Sequence, residues 1–144
     1  TRNRYRKYVI PFLKDEDSNV HHKFLKFSEE LSDASRFIEK ERDKALERCL
    51  DKNCIKIDLF VQEDVFIQKE VLYYLLSEFY QDDLILVNDK HIDLVAGLIY
   101  SNKANCFVNL PNDVVAKKSY NMLELRRDTF EITSYEIEFN NFIV

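Results

Sequence analysis

The sequence has very little glycine: one residue in 144, together with two prolines and no tryptophan. A single glycine excludes the glycine-rich loops that bind phosphates, and no GxSxG or HExxH motif occurs either. Few glycines and prolines mean few tight turns, which favours long regular elements, chiefly helices. No apolar run approaches the roughly 20 residues that a membrane-spanning helix needs, so no membrane partner is expected. The charged N-terminus lacks the apolar segment of a secretory signal, so none is expected.

Cysteine is also scarce, and the three cysteines form no recognisable set. Cys49, Cys54 and Cys106 include no CxxC pair, and the three histidines do not fall at a ligand spacing with them. An odd number of cysteines argues against a disulfide framework and favours a reducing cytoplasm. We therefore expect no metal site in this chain and a cytoplasmic location.

Catalytic arrangements are equally hard to find. The acidic pairs Glu29–Glu30 and Asp82–Asp83 fit a solvated helix face or loop better than a pair of catalytic carboxylates. No serine or histidine has a spacing that marks a catalytic triad. We predict no catalytic residue here, and a chain that is not a complete enzyme.

The charge is unevenly distributed along the chain. The net charge is −5, yet residues 1–14 hold five basic residues and no acidic one. Residues 101–127 hold five basic residues against two acidic ones, whereas residues 15–100 sum to −9. A polyanion such as RNA should therefore prefer these two basic segments, since its phosphates are attracted by clustered cations.

Apolar spacing predicts several helices. A short helix from Asn3 to Leu13 should bend at Pro11, and a helix near 30 residues long should follow an N-cap at Ser18 or Asn19. Such a helix would be about 45 Å long, more than a small domain covers. Either it breaks near Glu39–Lys44 or a partner domain covers part of it; a sustained coiled coil is a weaker alternative.

Later segments predict further helices and then a sheet. Residues 55–59 alternate like a short strand, residues 66–79 return to helical spacing, and Asn88 can cap a further helix. Gly97 lies inside that helix, which predicts close approach of another backbone. From Asn105 the period changes to two, with turns at 111–113 and 120–121, and residues 130–139 alternate as well. We predict a mainly α (α+β) fold, a helical domain with a small antiparallel β element near the C-terminus.

Two motifs resemble bacterial tRNA(Ile)-lysidine synthetases. The opening "TRNRYRKYVIPFLKDEDSNVHHKFLKFSE" is similar to the segment that follows the ATP-binding domain in that family, whose RNxxRxxxxPxL pattern is matched here. The stretch "NKANCFVNLPNDVVAKKSYNMLEL" resembles a later apolar strand, Leu-Pro turn and basic strand of the same family. The residues that carry the two matches are Arg2, Asn3, Arg6, Pro11, Leu13, Lys103, Leu110, Pro111, Lys118, Tyr120 and Leu123.

The resemblance implies an activity for a parent protein. Enzymes of this family use ATP to adenylate the wobble cytidine of the AUA-reading isoleucine tRNA, after which the lysine amine displaces AMP. Their catalysis belongs to an N-terminal PP-loop domain with an SGGxDS motif, which would hold ATP and Mg. This sequence has no such motif. The implied role is therefore substrate recognition by a middle region, with tRNA(Ile) and the chain's own ATP-binding domain as partners.

The resemblance also implies a division of the chain and a set of contact residues. Residues 1–14 would be an interdomain linker helix, residues 15–127 the helical substrate-binding domain with its β element, and residues 128–144 a strand or linker toward a further domain. The residues expected to contact tRNA or a domain interface are Arg2, Asn3, Arg4, Arg6, Lys117, Lys118 and Tyr120. In the structural alternative, Arg2 and Arg4 pair with acidic residues, such as those of residues 14–17 or of a partner domain, and the lysines are ordinary strand-surface residues. A helical protein–protein interaction module with a basic docking tip is the alternative function, and a homodimer is a further partner to consider.

Overall fold

The N-terminal segment is helical from its second residue. The computed structural model describes residues 1–127, in which α1 (Arg2–Arg4) leads into a π-helical turn (Tyr5–Val9) and then α2 (Ile10–Glu16). The bend expected at Pro11 stays a prediction; a π turn lies just before it, where the Ile10 N–H donates to the Tyr5 carbonyl. A proline lacks the N–H that would continue the regular ladder, so a changed hydrogen-bond pattern just before it is expected. No residue from Arg2 to Glu16 is buried.

The long helix is α3 (Val20–Cys49), and its 30 residues are unbroken. The predicted break near Glu39–Lys44 is therefore wrong, since that segment continues the helix without a glycine or proline to interrupt it. Asn19 occupies the N-cap position as predicted, although its side chain makes no capping hydrogen bond. Only Ala45, Leu46 and Cys49, all near the C-terminal end of α3, are buried.

Three further helices follow α3. They are α4 (Ile57–Phe60), α5 (Val65–Tyr80) and α6 (Asp89–Ile99), with a 3-10 helix (Gln81–Leu86) between the last two. Of these, α4 and α5 pack on α3, and α6 packs on α5 and the sheet. Asn88 caps α6 as predicted, in a capping box that also uses the His91 side chain. Within residues 1–127 the expectation about Gly97 is wrong, because no atom outside its own helix and its chain neighbours lies within 4 Å of the position that a Cβ would take there.

The described strands form one antiparallel sheet. In chain order they are β1 (Leu50–Asp51), β2 (Cys54–Lys56), β3 (Asn105–Leu110), β4 (Val114–Ser119) and β5 (Met122–Arg127). Their spatial order is β1-β2-β5-β4-β3, which confirms the mainly α fold with a small β element near the C-terminus. Residues 130–139, predicted to alternate, lie outside the described residues.

The predicted strand at residues 55–59 is shorter than expected. Strand β2 ends at Lys56, where the Asn121 carbonyl accepts the Ile57 N–H at 2.8 Å and the Asn121 side chain accepts the Asp58 N–H at 3.0 Å. These two bonds end the ladder and start α4. The turns need no glycine because Asn112, Asp113 and Tyr120 adopt positive φ angles of 58°, 57° and 52°.

The core lies between the helices and the inner face of the sheet. Its largest fully buried side chains include Tyr80, Phe60 and Leu76, and the Tyr80 hydroxyl donates to the Pro111 carbonyl at 2.6 Å. Within residues 1–127, no helix combines the length and the apolar character needed to span a membrane. The structure is thus a helical and β body, from which the N-terminal helices extend.

Candidate nucleic-acid interface

The N-terminal cations are all exposed on one short helical segment. Arg2, Arg4, Arg6 and Lys7 lie within six residues, which is about 8 Å along a helix axis, and Asn3 is exposed among them. None of these cations forms an ion pair with another residue of the described range 1–127. The alternative that they pair with the acidic residues of 14–17 is therefore not what the structure shows. The guanidinium groups are open to an anionic partner.

Aromatic rings accompany these cations. Tyr5, Tyr8 and Phe12 are 57%, 62% and 60% exposed, and Val9 lies between them on the helix. The Lys7 ammonium lies 5.5 Å from the centre of the Tyr8 ring. Positions 5, 8, 9 and 12 follow the spacing of one helical side, so cations and an apolar side share this segment. Such a surface suits RNA or the face of another domain.

Lys118 has a different role from the one predicted. It is 8% exposed, and its ammonium donates to the carbonyls of Ile99 at 2.8 Å and Ser101 at 2.7 Å. These carbonyls lie at and just past the C-terminal end of α6, where helix carbonyls lack partners. Lys118 therefore joins β4 to α6, and its buried ammonium is not presented to a ligand in this structure.

Lys117 and Tyr120 do reach the surface. In the register of the sheet, Lys117 lies between Phe107 on β3 and Glu124 on β5. Tyr120, in the turn after β4, is 74% exposed. Two of the three predicted sheet residues, Lys117 and Tyr120, are thus at the surface. Lys117 is more than 100 residues from the N-terminal cations in the sequence.

Phe107 is a candidate that the sequence analysis missed. Its side chain is 67% exposed in the middle of β3, and it lies opposite Lys117. The signal was present in the alternation of β3, where the even positions 106, 108 and 110 are more buried than Asn105, Phe107 and Asn109. The exposed positions 105 and 109 hold asparagine, so the phenylalanine at 107 stands out in the sequence as an apolar residue at an exposed position.

Asp83 joins three parts of the fold near the C-terminal end of the sheet. Asp83, from the predicted acidic pair, accepts a hydrogen bond from the Asn112 amide at 2.7 Å and lies 3.9 Å from the Arg127 guanidinium. The carboxylate therefore bridges the 3-10 helix to the β3–β4 turn and to the end of β5. Its partners give it a structural explanation.

A bidentate ion pair holds the C-terminal part of α3 against the rest of the fold. The Arg48 Nε and Nη2 atoms each lie 2.7 Å from a carboxylate oxygen of Glu63. The hydrogen bond from Arg48 lowers the pKa of the Glu63 carboxyl and raises the pKa of Arg48 itself. One turn and a half earlier, the Arg42 guanidinium lies 4.4 Å from the centre of the Tyr74 ring. These contacts orient the part of α3 that projects beyond them.

The projecting part of α3 carries an exposed apolar face. We define the α3 stripe as Val20, Phe24, Phe27, Leu31, Ala34 and Ile38, which alternate four and three residues apart on one side of the helix. Phe24, Phe27 and Leu31 are 62%, 59% and 71% exposed. With no break in the helix, cover by a partner domain or a coiled coil remains to explain the pattern. Val20 and Ile38, at the two ends of the α3 stripe, are half-buried, so its exposed part within residues 1–127 runs from Phe24 to Ala34 and is an apolar surface available to a partner.

One cavity of the described residues is lined mainly by apolar side chains. It has a volume of about 320 Å³ and lies between α5 and the sheet, with Leu72, Leu75, Phe79, Leu123 and Leu125 among its lining residues. Among residues 1–127, no group of three or more His, Cys, Asp or Glu side chains is arranged to hold a metal ion. The groups best suited to contact a ligand are the exposed cations and aromatic rings described above.

Comparison with known proteins identifies relatives of the chain. No family model matches it. The bifunctional protein TilS/HprT of Listeria monocytogenes serotype 4b is 32% identical over 148 residues, which cover 98% of this chain and 23% of that protein. The tRNA(Ile)-lysidine synthase of Geobacillus kaustophilus is 26% identical over 124 residues, 83% of this chain and 27% of that protein. The synthase of Bacillus anthracis is 27% identical over 126 residues, 83% of this chain and 26% of that protein. The chain therefore spans about a quarter of the length of these curated relatives.

Proposed function

The chain is related to the tRNA(Ile)-lysidine synthase family, as its two motifs predicted, and from this we propose that it forms the tRNA-recognition part of such a synthase. The parent enzyme would ligate lysine to the wobble cytidine of the AUA-reading isoleucine tRNA through an adenylated intermediate, in the cytoplasm. ATP and Mg would be held by a PP-loop domain, for which these residues supply no motif. The division at residues 14 and 127 stays a prediction of the same resemblance.

One observation supports RNA binding more than any other. In a chain of net charge −5, the cations Arg2, Arg4, Arg6 and Lys7 are clustered, exposed and without ion-pair partners among residues 1–127. Keeping like charges together is unfavourable unless an anion neutralises them. Arginine's planar fork suits the oxygens of a phosphate. The exposed rings of Tyr5 and Tyr8 beside the cations could contact bases or riboses.

A salt titration of tRNA binding tests this proposal. The wild-type chain should bind tRNA at low salt and lose affinity steeply as salt rises, because each phosphate contact releases counterions. The double change Arg2→Ala/Arg6→Ala should reduce the slope of log K against log salt by about 1.5 to 2, since two phosphate contacts are lost. The control Lys40→Ala/Lys69→Ala removes the same charge from exposed positions elsewhere and should leave the slope nearly unchanged.

Failure of the proposal has a clear form. If the wild-type chain does not bind tRNA at low salt, the recognition role is rejected for this part of the protein. If both double variants reduce the slope equally, binding depends on net charge and not on the N-terminal cluster. In a full-length synthase that contains this region, Arg2→Ala/Arg6→Ala should also strongly reduce lysine transfer; unchanged transfer would count against a role in substrate placement.

The α3 stripe supports a second partner within the same proposal. We expect the ATP-binding domain of the parent enzyme to pack on this stripe and on the apolar side of residues 5–12, because Phe12, Phe24 and Leu31 are exposed within residues 1–127. Exposed apolar surface of this extent is typical of an interaction site. The basic cluster would then lie at the junction of the two domains, where the tRNA arrives.

The same stripe is the specific observation in favour of the alternative function, a helical protein–protein interaction module. In that case an acidic protein would dock on the basic tip and the stripe. Competition distinguishes the two functions: if bulk tRNA does not displace the protein partner, and Arg2→Ala/Arg6→Ala weakens only the docking of that protein, the interaction module is supported. Light scattering on the isolated chain tests the remaining partner, a second copy.

A further inference from the structure

The outer face of the sheet carries an aromatic ring that the fold does not use. Phe107 is 67% exposed at the centre of β3, which is an edge strand of the five-stranded sheet. Proteins usually protect an exposed sheet edge with charge or proline, because an apolar edge invites association. A ring retained at this position is better explained by a ligand than by the stability of the fold.

The register of the sheet surrounds this ring with groups that suit a nucleotide. Lys117 is directly opposite Phe107 on β4, and such paired side chains have Cβ atoms about 5 Å apart. Lys117 forms no ion pair with another described residue, although Glu124 follows it in the same row. Asn105 and Asn109 flank Phe107 at two residues' distance on the same exposed side of β3. Their amides can both donate and accept hydrogen bonds.

The neighbouring corner of the sheet extends the same chemistry. The Tyr120 N–H donates to the Ala104 carbonyl at 2.6 Å, which holds the β4–β5 turn beside the start of β3. Tyr120 is 74% exposed, and Lys103 is exposed one residue before Ala104. A second ring and a second cation therefore belong to the same corner of the sheet, with Tyr120 three residues after Lys117 and Lys103 four residues before Phe107.

We propose that this corner of the sheet is a platform for single-stranded RNA, on which Phe107 stacks against an unpaired base while Lys117 binds the adjacent phosphate. An exposed ring beside a cation on an antiparallel sheet is a combination that holds bases by stacking and the backbone by charge. The platform rests on the proposed function, in that RNA is the ligand. It adds a second contact region, far along the chain from the N-terminal cluster. An extended protein strand paired to β3 is the competing occupant, but it would make no use of the Lys117 cation.

The absence of tryptophan from the chain makes a direct test available. Phe107→Trp introduces a single fluorophore at the platform, and Phe37→Trp places a control at a position that is 65% exposed on α3. An unstructured RNA oligonucleotide, added at low salt, should quench the fluorescence of Phe107→Trp by stacking and leave that of Phe37→Trp nearly unchanged. Phe107→Ala should weaken oligonucleotide binding by roughly 5- to 150-fold, the range expected for loss of one stacked base, whereas Phe107→Tyr should retain it.

The outcomes separate the platform from the function on which it rests. If the chain binds tRNA with the expected salt dependence but Phe107→Trp is not quenched, the platform is overturned and the N-terminal interface stands. Equal quenching of both tryptophan variants would show non-specific contact and would also overturn it. If no RNA binds at all, both proposals fail together. Because Phe107 is exposed, unchanged thermal unfolding of Phe107→Ala should show that a loss of binding is not a loss of folding.

Discussion

The two ends of α3 share one apolar spacing but lie in opposite environments. Ala45 and Cys49, near the C-terminal end, are completely buried. Phe24 and Leu31, on the same side of the same helix, are 62% and 71% exposed. The spacing alone cannot distinguish them, because it reports which side of a helix is apolar and not what covers that side.

The difference comes from where the rest of the body ends. Helices α4 and α5 cover the last turns of α3, and the Arg48–Glu63 ion pair and the Arg42–Tyr74 contact hold α3 against them. Nearer the N-terminus of α3, the stripe residues Phe24, Phe27 and Leu31 are exposed. A face that keeps its apolar residues where nothing covers them is best understood as an interface, since a solvated helix has no need of them.

The largest expected effect tests this difference in cover. Phe60→Ala removes a completely buried ring and should lower the free energy of unfolding by about 3–5 kcal/mol, because the transfer term and the cavity term add. Phe27→Ala, in the α3 stripe, should change it by less than about 0.5 kcal/mol in the isolated chain, since its ring is already in water. Urea unfolding followed by circular dichroism measures both.

If Phe27→Ala lowered the free energy of unfolding about as much as Phe60→Ala, the contrast between a covered and an uncovered end of α3 would be wrong. It would mean that the α3 stripe is covered in solution, for instance by a second copy of the chain. Repeating the unfolding at several protein concentrations separates these cases, because association makes the apparent stability depend on concentration.

The neighbouring residues Lys117 and Lys118 provide a second contrast between an exposed and a buried side chain, with a smaller expected effect. Lys118→Met keeps the length of the side chain but removes the donors to the Ile99 and Ser101 carbonyls, so it should cost about 2–4 kcal/mol of unfolding free energy. Lys117→Met should cost less than about 0.5 kcal/mol, because no described residue depends on its ammonium. Thermal or urea unfolding of the two variants checks the difference.

The two lysine variants should rank in the opposite order when RNA binding is measured in place of stability. Lys117→Met should weaken binding to the sheet platform while leaving the fold intact. Lys118→Met should affect binding only to the extent that it unfolds the protein. Similar losses of stability for both variants would contradict the assignment of Lys118 as the residue that joins β4 to α6.

Most of the fold was predictable because its signals are local. The four-and-three spacing of α3, the capping residue Asn88 and the change to a two-residue period after Asn105 each predicted an element that the structure contains. The turn at 111–113 followed from a proline beside two residues that tolerate positive φ. The N-terminal basic cluster was also predictable, since charge is read directly and a helix end without a core exposes it.

The remaining features depend on tertiary contacts that no local pattern reports. Adjacent lysines on a strand point to opposite faces, but only the position of α6 shows that Lys118 satisfies its last carbonyls. The alternation of β3 indicates that Phe107 is on the exposed side, but its partner Lys117 follows only from the pairing of β3 with β4. The continuity of α3 through residues 39–44 likewise followed from the lack of any helix breaker, whereas the predicted break relied on an assumption about what could cover it.

A substitution at Gly97 tests with a small change in stability whether another surface approaches α6. A glycine inside a helix costs about 0.5–1 kcal/mol relative to alanine, and close packing is the usual reason to keep one. Here the position is exposed, and within residues 1–127 nothing outside its own helix and its chain neighbours lies within 4 Å of the place where a Cβ would stand. Gly97→Ala should therefore stabilise the isolated chain by about that amount, with Ala96→Gly as the matched control that should destabilise it. If Gly97→Ala destabilises the isolated chain, another surface approaches α6 in solution; if it stabilises the chain but impairs a full-length synthase, that surface belongs to the rest of the enzyme.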